Sequence, residues 1–440
     1  MPTKSAAAAK PTSSAGRAPG RGDHVFLVDG SSFVFRAYFQ SMNQDAKYNY
    51  RSDGLPTGAI RLFCNKLYQF INDGAVEVKP THLAIIFDKS EVTFRNELYP
   101  EYKGTRREAP DDLVPQFPLM REAVEALGLH PVEQDGYEAD DIIATYAKQA
   151  SASGADVLII SADKDLMQLV TPGVQFYDFE SGSRGRPGYR PERRIDIDGV
   201  IDYFGVPPEK VTDVQALVGD TSDNVPGVPG IGKKTAAQLI EEYGDLESLL
   251  ADAANIKQPK RRERLIEFAD QARLSKQLVT LEDAVDVETP LAVSALSEFD
   301  PLRFIAFLKA MELNAIVKRV AEAFGIDPDS VDADPKLKAK GRGTAAHPGQ
   351  VGSMATGYSR GAVDAPPPAH SGGDLFGRSD VVVEATGDEP VFIDIAAGAT
   401  KLADDIAAIP VDASAYSIIR DLKALDAVLG EASSTGRLAL

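Results

Sequence analysis

Short apolar runs in this chain repeatedly end on acids, and that pattern restricts the fold more than any other feature. HVFLVDGSS runs into Asp29, HLAIIFDKS into Asp88, and VLIISADKD carries Asp163 and Asp165. Two polar clusters, YEADD and GDTSDN, add Glu138, Asp140, Asp141, Asp220 and Asp223. In an open parallel sheet the carboxyl ends of the strands are where ligands bind. Nine acids gathered there repel one another, because like charges a few Å apart do not all stay ionised, and divalent cations relieve the repulsion. Oxygen-rich sites of this kind hold Mg²⁺ or Mn²⁺ and typically serve phosphate chemistry.

Each acid alone also has a plainer reading. Asp29 before Gly30 suits a turn, Asp140 and Asp141 suit the negative-favouring start of a helix, and Asp223-Asn224 before a proline suits another turn. Their recurrence behind buried-type strands favours the shared site. Two cations roughly 4 Å apart serve an in-line phosphoryl displacement by activating water and neutralising charge, so phosphodiester hydrolysis is the expected reaction.

The chain has 440 residues, 43% hydrophobic and 26% charged, which is a globular composition long enough for two or three domains. A net charge of −19 argues against a partner held by overall electrostatics, but the charge is patchy. Arg95, Lys103, Arg106 and Arg107 follow the second acidic strand, and Lys257, Lys260, Arg261, Arg262 and Arg264 crowd a later helix. Cys64 is the only cysteine, so no intrachain disulfide forms, and a reducing, cytoplasmic setting is expected. The five histidines are scattered, against zinc ligand spacing. No run approaches the roughly 18 apolar residues of a membrane helix.

Residues 1–22, rich in Ala, Ser, Pro and Gly, read as a disordered tail. From 23 to 197 β-rich runs alternate with helical patterns, the signature of an α/β fold with a parallel sheet. Strands are expected at 24–28, 82–87 and 157–161, with 174–179 at an edge, and helices at 58–73, 113–128 and 139–151. Residues 198–322 read as a smaller helical subdomain, 323–378 as a flexible linker, and 379–440 as the opening of a further domain.

VPGVPGIGKKTAAQLIEEYG, 225–244, is a Gly-rich hairpin feeding a helix, which exposes backbone N–H groups to phosphate. Lys233 and Lys234 strengthen that reading against a tight turn with surface lysines. The segment 91–107 interleaves Phe94, Tyr99 and Tyr102 with cations, which suits a single strand of nucleic acid and equally a solvated helix face.

Taken in order, VDGSS, FRAY, PTGA, FD, TFRNELYPEYKGTR, YEADD, SADKDLMQLV and GDTSDNVPGVPGIGKKTA resemble the 5′ nuclease domains of bacterial DNA polymerase I, within the flap endonuclease family, over residues 24 to about 320. The resemblance implies a PIN-like α/β core with a helical arch and a helix-hairpin-helix (H3TH) subdomain. It implies a 5′→3′ exonuclease and 5′-flap endonuclease using two or three Mg²⁺, with Mn²⁺ as a substitute. By the same resemblance, the metal ligands and their outer shell are Asp29, Asp88, Glu138, Asp140, Asp141, Asp163, Asp165, Asp220 and Asp223. By that resemblance Lys103, Arg106 and Asp140 would be the catalytic residues. Arg36, Arg95, Lys103, Arg106, Gly230, Gly232, Lys233, Lys234 and Thr235 would by the same resemblance contact DNA, with K⁺ at the hairpin. Partners would be DNA with 5′ flaps, nicks or RNA primers, met by a monomer near the nucleoid and away from membranes. Ser161-Ala162 stands where the family often has Gly before the acid. The C-terminal YSIIRDLKALDAVLGEASSTGRLAL is similar to the lead-in of a 3′→5′ exonuclease domain, so proofreading and synthesis are not expected of this chain by itself. A haloacid-dehalogenase-like phosphatase needs Asp-x-Asp after the first strand, whereas Asp29 is followed by Gly30 and Ser31; a non-catalytic flap-binding module would lose acids that this chain keeps.

Overall fold

The computed structural model describes residues 16–180, 189–297 and 299–339, and two short strands further on. A six-stranded sheet runs in the order β3-β2-β1-β4-β5-β6. Its strands are β1 His24–Asp29, β2 His82–Ile86, β3 Pro131–Val132, β4 Asp156–Ile160, β5 Val174–Asp178 and β6 Arg193–Ile195. All neighbours pair parallel except β5 with β6.

Near-continuous apolar runs form β1, β2 and β4 because both faces of a parallel sheet are covered. Alternate side chains divide between two cores. Val25, Leu27, Ala84, Ile86, Val157 and Ile159 enter one. Phe26, Val28, Leu83, Ile85, Leu158 and Ile160 enter the other.

The helices are α1 Gly30–Met42, α2 Gly58–Asn72, α3 Phe94–Leu98, α4 Gln116–Ala126 and α5 Ala139–Ala152, followed by α6 Ile197–Phe204, α7 Val211–Val218, α8 Lys233–Tyr243 and α9 Leu246–Ala251. Then come α10 Pro259–Glu267, α11 Ala269–Val279, α12 Pro301–Ala310 and α13 Asn314–Phe324. Helix α5 covers the first face through Ile142, Ile143 and Tyr146, and apolar residues of α7 and α8 continue that core. Helices α1, α2 and α4 cover the second.

The structure corrects several expectations. The strand at 174–179 is not an edge, because β6 pairs along it; β3 and β6 are too short to give an alternation pattern. Helix α4 starts at Gln116 with Pro115 as its N-cap, and a proline disfavours helical backbone at the residue before it, which works against an earlier start. Phe304, Phe307, Leu308, Val317 and Val320 of α12 and α13 join the core beside α2 and α4. Part of the expected 198–322 subdomain thus packs on the α/β core. Residues 16–22, read as part of a tail, are held: Arg17 pairs with Asp23, and its carbonyl lies 2.8 Å from His82 Nε2. The start of the expected linker also packs, for Lys309 Nζ donates to the carbonyls of Pro328 and Val331. Residues 1–15, the linker beyond 339 and nearly all of 379–440 lie outside the described residues, apart from an antiparallel pair, β7 Phe392–Asp394 and β8 Arg437–Ala439.

Phe304 is fully buried and stacks on Tyr68 of α2 with ring centroids 6.0 Å apart. We expect Phe304→Ala to lower the unfolding free energy by about 3–5 kcal/mol in denaturant titration, as an emptied aromatic site does.

Candidate active site

Three neighbouring strands, β2, β1 and β4, deliver their acids to one edge of the sheet. Asp29 is the last residue of β1, Asp88 follows β2 by two residues, and Asp163 follows β4 by three. Asp29 also caps α1, accepting from the Ser32 amide at 2.9 Å. Helix α5 starts above the same edge, where Asp88 Oδ1 accepts from the Ala139 amide at 2.8 Å. Glu138 is the N-cap of α5, and Asp140 lies in its first turn.

The acids feel one another's charge. Burial pushes Asp29 up to about 6, with the Asp88 carboxylate adding to the effect. Burial also raises Asp140 well above the usual carboxylate range, helped by Asp29 and Asp163. Asp165 is raised by burial and then by Asp163, while Asp163 itself is raised by burial against the pull of Lys164. Glu138 is raised by burial although Lys103 and Arg95 oppose it. At Asp220 burial works upward, but the Lys164 ammonium outweighs it and the net shift is downward.

Cations from two segments meet this cluster. Lys103 Nζ lies 2.8 Å from Glu138 and 3.7 Å from Asp223, Arg106 pairs with Asp223, and Lys164 Nζ lies 2.7 Å from Asp220. The loop carrying Lys103 is docked on the GDTSDN turn, for the Lys103 amide donates to the Asp223 carbonyl at 2.9 Å. Asn224, at a positive φ of 57°, donates its side-chain amide to the Glu101 carbonyl.

Two expected DNA-contacting residues, Arg95 and Arg36, are engaged by groups of the protein itself. Arg95 is 1% exposed, so it cannot reach DNA. Its guanidinium makes a two-pronged pair with Asp141, both bonds 2.7 Å, and Asp141 also accepts from the amides of Glu138 and Glu282. Four donors thus fill the Asp141 oxygens, so the carboxylate serves as a buried staple rather than as an open ligand. Arg36 lies over the Phe179 ring, 4.4 Å from its centroid, and donates to the Glu180 carbonyl.

The hairpin opens onto α8. Gly232 is its N-cap, and a Cβ there would meet nothing within 4 Å, so the backbone is open to a ligand. Gly230 has φ +76° and presses against Arg264, which donates to the Pro229 carbonyl at 2.8 Å. Lys234 is exposed, and Thr235 is half-buried beside it. Lys233 instead lies over the Tyr203 ring, 3.4 Å from its centroid, and burial, aided by Lys164, lowers it to about 8.

The serines of VDGSS and SADKD are site residues that the residue types alone do not mark. Ser161 Oγ donates to Asp29 at 2.7 Å and accepts from the Asp163 amide at 2.9 Å, and Ser31 Oγ accepts from the Asp88 amide. The signal for them was their place next to strand-end acids, where a hydroxyl can orient a carboxylate. Ser161 is thus a link between two of the acids.

The donor set suits a hard divalent cation in its chemistry, being all oxygen, largely buried and mutually repelling. In spacing, no three of the His, Cys, Asp or Glu side chains among the described residues form a metal-holding group. Binding an ion would therefore draw the carboxylates inward from their lysine and arginine partners.

Residues 24–205 match the 5′-3′ exonuclease N-terminal, resolvase-like domain, and residues 206–301 match the 5′-3′ exonuclease C-terminal SAM fold. The chain belongs to the 5′-3′ exonuclease family. DNA polymerase I of Rhizobium leguminosarum is 44% identical over 428 residues, which is 95% of this chain and 39% of that protein. DNA polymerase I of Bacillus subtilis is 35% identical over 312 residues, 70% of this chain and 33% of that protein. The exonuclease chain thus spans between a third and two fifths of these relatives and corresponds to their nuclease part. A structure of the T5 5′-exonuclease with bound zinc ions aligns over 68% of this chain and 98% of its own, at 21% identity and a TM-score of 0.48.

Because Asp29 is held above its usual value of 3.8, its ionisation opposes folding. The protonated form contributes stability fully below about pH 4, and that contribution is lost as pH rises through about 6. In EDTA, Asp29→Asn should melt level with the native exonuclease near pH 4 and a few degrees above it at pH 7. Equal melting temperatures at both pH values would contradict the assigned burial of charge.

Proposed function

We propose that this exonuclease chain hydrolyses phosphodiesters at 5′ ends and 5′ flaps of DNA, with divalent cations, magnesium first among them. The observation that carries the reading is the meeting of Lys103 and Arg106 with Glu138 and Asp223, two acids of the cluster at the sheet edge. Acids alone suit a cation site; acids flanked by side chains able to take a phosphate suit a phosphodiester.

Asp29, Asp88, Glu138, Asp140, Asp163, Asp165, Asp220 and Asp223 would hold the ions, with Asp141 left to its pair with Arg95. Bound there, divalent cations would supply the positive charge that lets a phosphodiester approach and eases negative charge developing on phosphorus oxygens. The chain's own residues do the rest. Lys103 and Arg106, 19% and 49% exposed, exchange a carboxylate partner for the scissile phosphate and orient it. Ser161 and Ser31 hold Asp29, Asp163 and Asp88 in register. The open amides at Gly232 and the start of α8, with Lys234, grip duplex backbone without reading bases.

A potassium ion at the hairpin is a finer part of the same proposal. The Gly227, Val228 and Pro229 carbonyls already accept from Gln271, Ile231 and Arg264, so an ion there would use their second lone pairs. We further propose RNA primers and nicked duplexes as substrates in replication and repair, and a monomer in the cytoplasm.

The test is a labelled 5′-flap duplex incubated with the purified chain. Cutting near the junction is expected with magnesium and none with EDTA. Asp140→Asn and Asp88→Asn should bind the duplex while cutting at least about a hundredfold more slowly, as loss of transition-state charge stabilisation predicts. Full cleavage in EDTA would refute the metal requirement, and full activity in both variants would remove these acids from the site.

A further inference from the structure

We propose that residues 278–282, the exit of α11, couple duplex binding at the hairpin to the arrangement of the carboxylates, with Arg95 and Gln168 as positioning residues at that junction. The inference rests on the nucleic-acid reading above and extends it to how the two halves communicate.

Helix α11 touches the hairpin at one end. The Gly227 amide donates to Ser275 Oγ at 3.1 Å, and Gln271 Nε2 donates to the Gly227 carbonyl at 2.6 Å. Gly227 has φ +61° and lies against the backbone of Val218 and Gly219, so this contact leaves no room for a side chain.

At the other end the chain leaving α11 is gripped by two side chains. Arg95 Nε donates to the Leu278 carbonyl at 2.8 Å, and its NH2 donates to the Thr280 carbonyl at 3.2 Å. Gln168 in turn takes both kinds of backbone polar group, donating to the Val279 carbonyl at 3.0 Å and accepting from the Leu281 amide at 3.1 Å. Four consecutive residues, 278–281, are thus fixed by two side chains that belong to the α/β half, and the Glu282 amide next to them donates to Asp141.

Those two side chains are one step from the acids. Arg95 holds Asp141, which accepts from the Glu138 amide and so sets the first turn of α5, where Glu138 and Asp140 sit. Gln168 donates to the carbonyl of Asp165 at 2.9 Å. A shift of α11 when duplex occupies the hairpin would therefore reach Glu138 and Asp140 through Arg95, and Asp165 through Gln168. Contiguity alone does not prove coupling, so the test measures it directly.

Hydrogen exchange of the amides of 138–142 is followed in the full chain, in EDTA, with and without an uncut 5′-flap duplex. Native chain should gain about tenfold protection there on binding. Gln168→Leu and Arg95→Lys should bind the duplex within about threefold of native affinity yet lose that gain, and with magnesium their kcat should fall about tenfold at unchanged KM. Thermal melting checks that each variant folds; Gln168 is half-buried, so its variant decides the matter alone if Arg95→Lys does not fold. Protection that persists in Gln168→Leu, or a rise in KM without loss of kcat, overturns the coupling while leaving the nuclease reading intact. Failure of the native chain to bind the duplex overturns both.

Discussion

Like-charge repulsion at the carboxyl edge of one parallel sheet is the constraint around which this molecule is arranged. Strand order alone places Asp88, Asp29 and Asp163 side by side, since β2, β1 and β4 are adjacent and parallel. A parallel register ends all three strands on the same side, which no antiparallel arrangement of these segments would do. The protein then spends its neighbouring polar groups on holding the acids still. Serine hydroxyls, the first amides of α1 and α5, and the ammonium groups of Lys103 and Lys164 all point at carboxylate oxygens. Burial of unpaired charge is expensive, and each of these contacts offsets part of that cost.

The second half of the chain answers the first. GDTSDN supplies Asp220 and Asp223 from beyond the sheet, and the same turn receives the segment that carries Lys103 and Arg106. The hairpin follows this turn by a few residues, so backbone-phosphate contacts and the acids are joined by a short length of chain. A duplex seated on α8 would thereby have little freedom in where it presents its 5′ end. Positioning of that kind is a large part of what catalysis of phosphoryl transfer requires.

Much of this was legible in the residues. Buried parallel strands carry long apolar runs, so β1, β2 and β4 were readable. β3 and β6 were not, because two or three residues cannot show a period and their pairing depends on partners distant in sequence. The return of α12 and α13 to the α/β core was hidden for a related reason: an amphipathic pattern announces that a face is buried but not against what. At the site, the acids adjoining strands were legible from position. The serines were less so, since a hydroxyl acquires its role only from the distance to a carboxylate.

Arg95 shows the limit most clearly. It lies in the same cation-rich segment as Lys103 and Arg106, and nothing in the residue types separates the three. Exposure does: 1% for Arg95 against 19% and 49% for the others. A guanidinium wholly enclosed, with a fork of carboxylate bonds and two backbone carbonyls, has four of its five N–H groups engaged and the last on the Nη1 that lies 3.6 Å from Glu138, so none is exposed to a phosphate. Such a pair is weak evidence of net stability, because desolvation consumes much of the attraction, but breaking it from one side leaves a buried charge at a cost of about 3–5 kcal/mol. Its value to this fold is therefore geometric. One ion pair fixes the base of the cation-bearing loop, the first turn of α5 and the end of α11 against one another, and those are the three elements whose relative placement decides whether a phosphate and the carboxylates can meet.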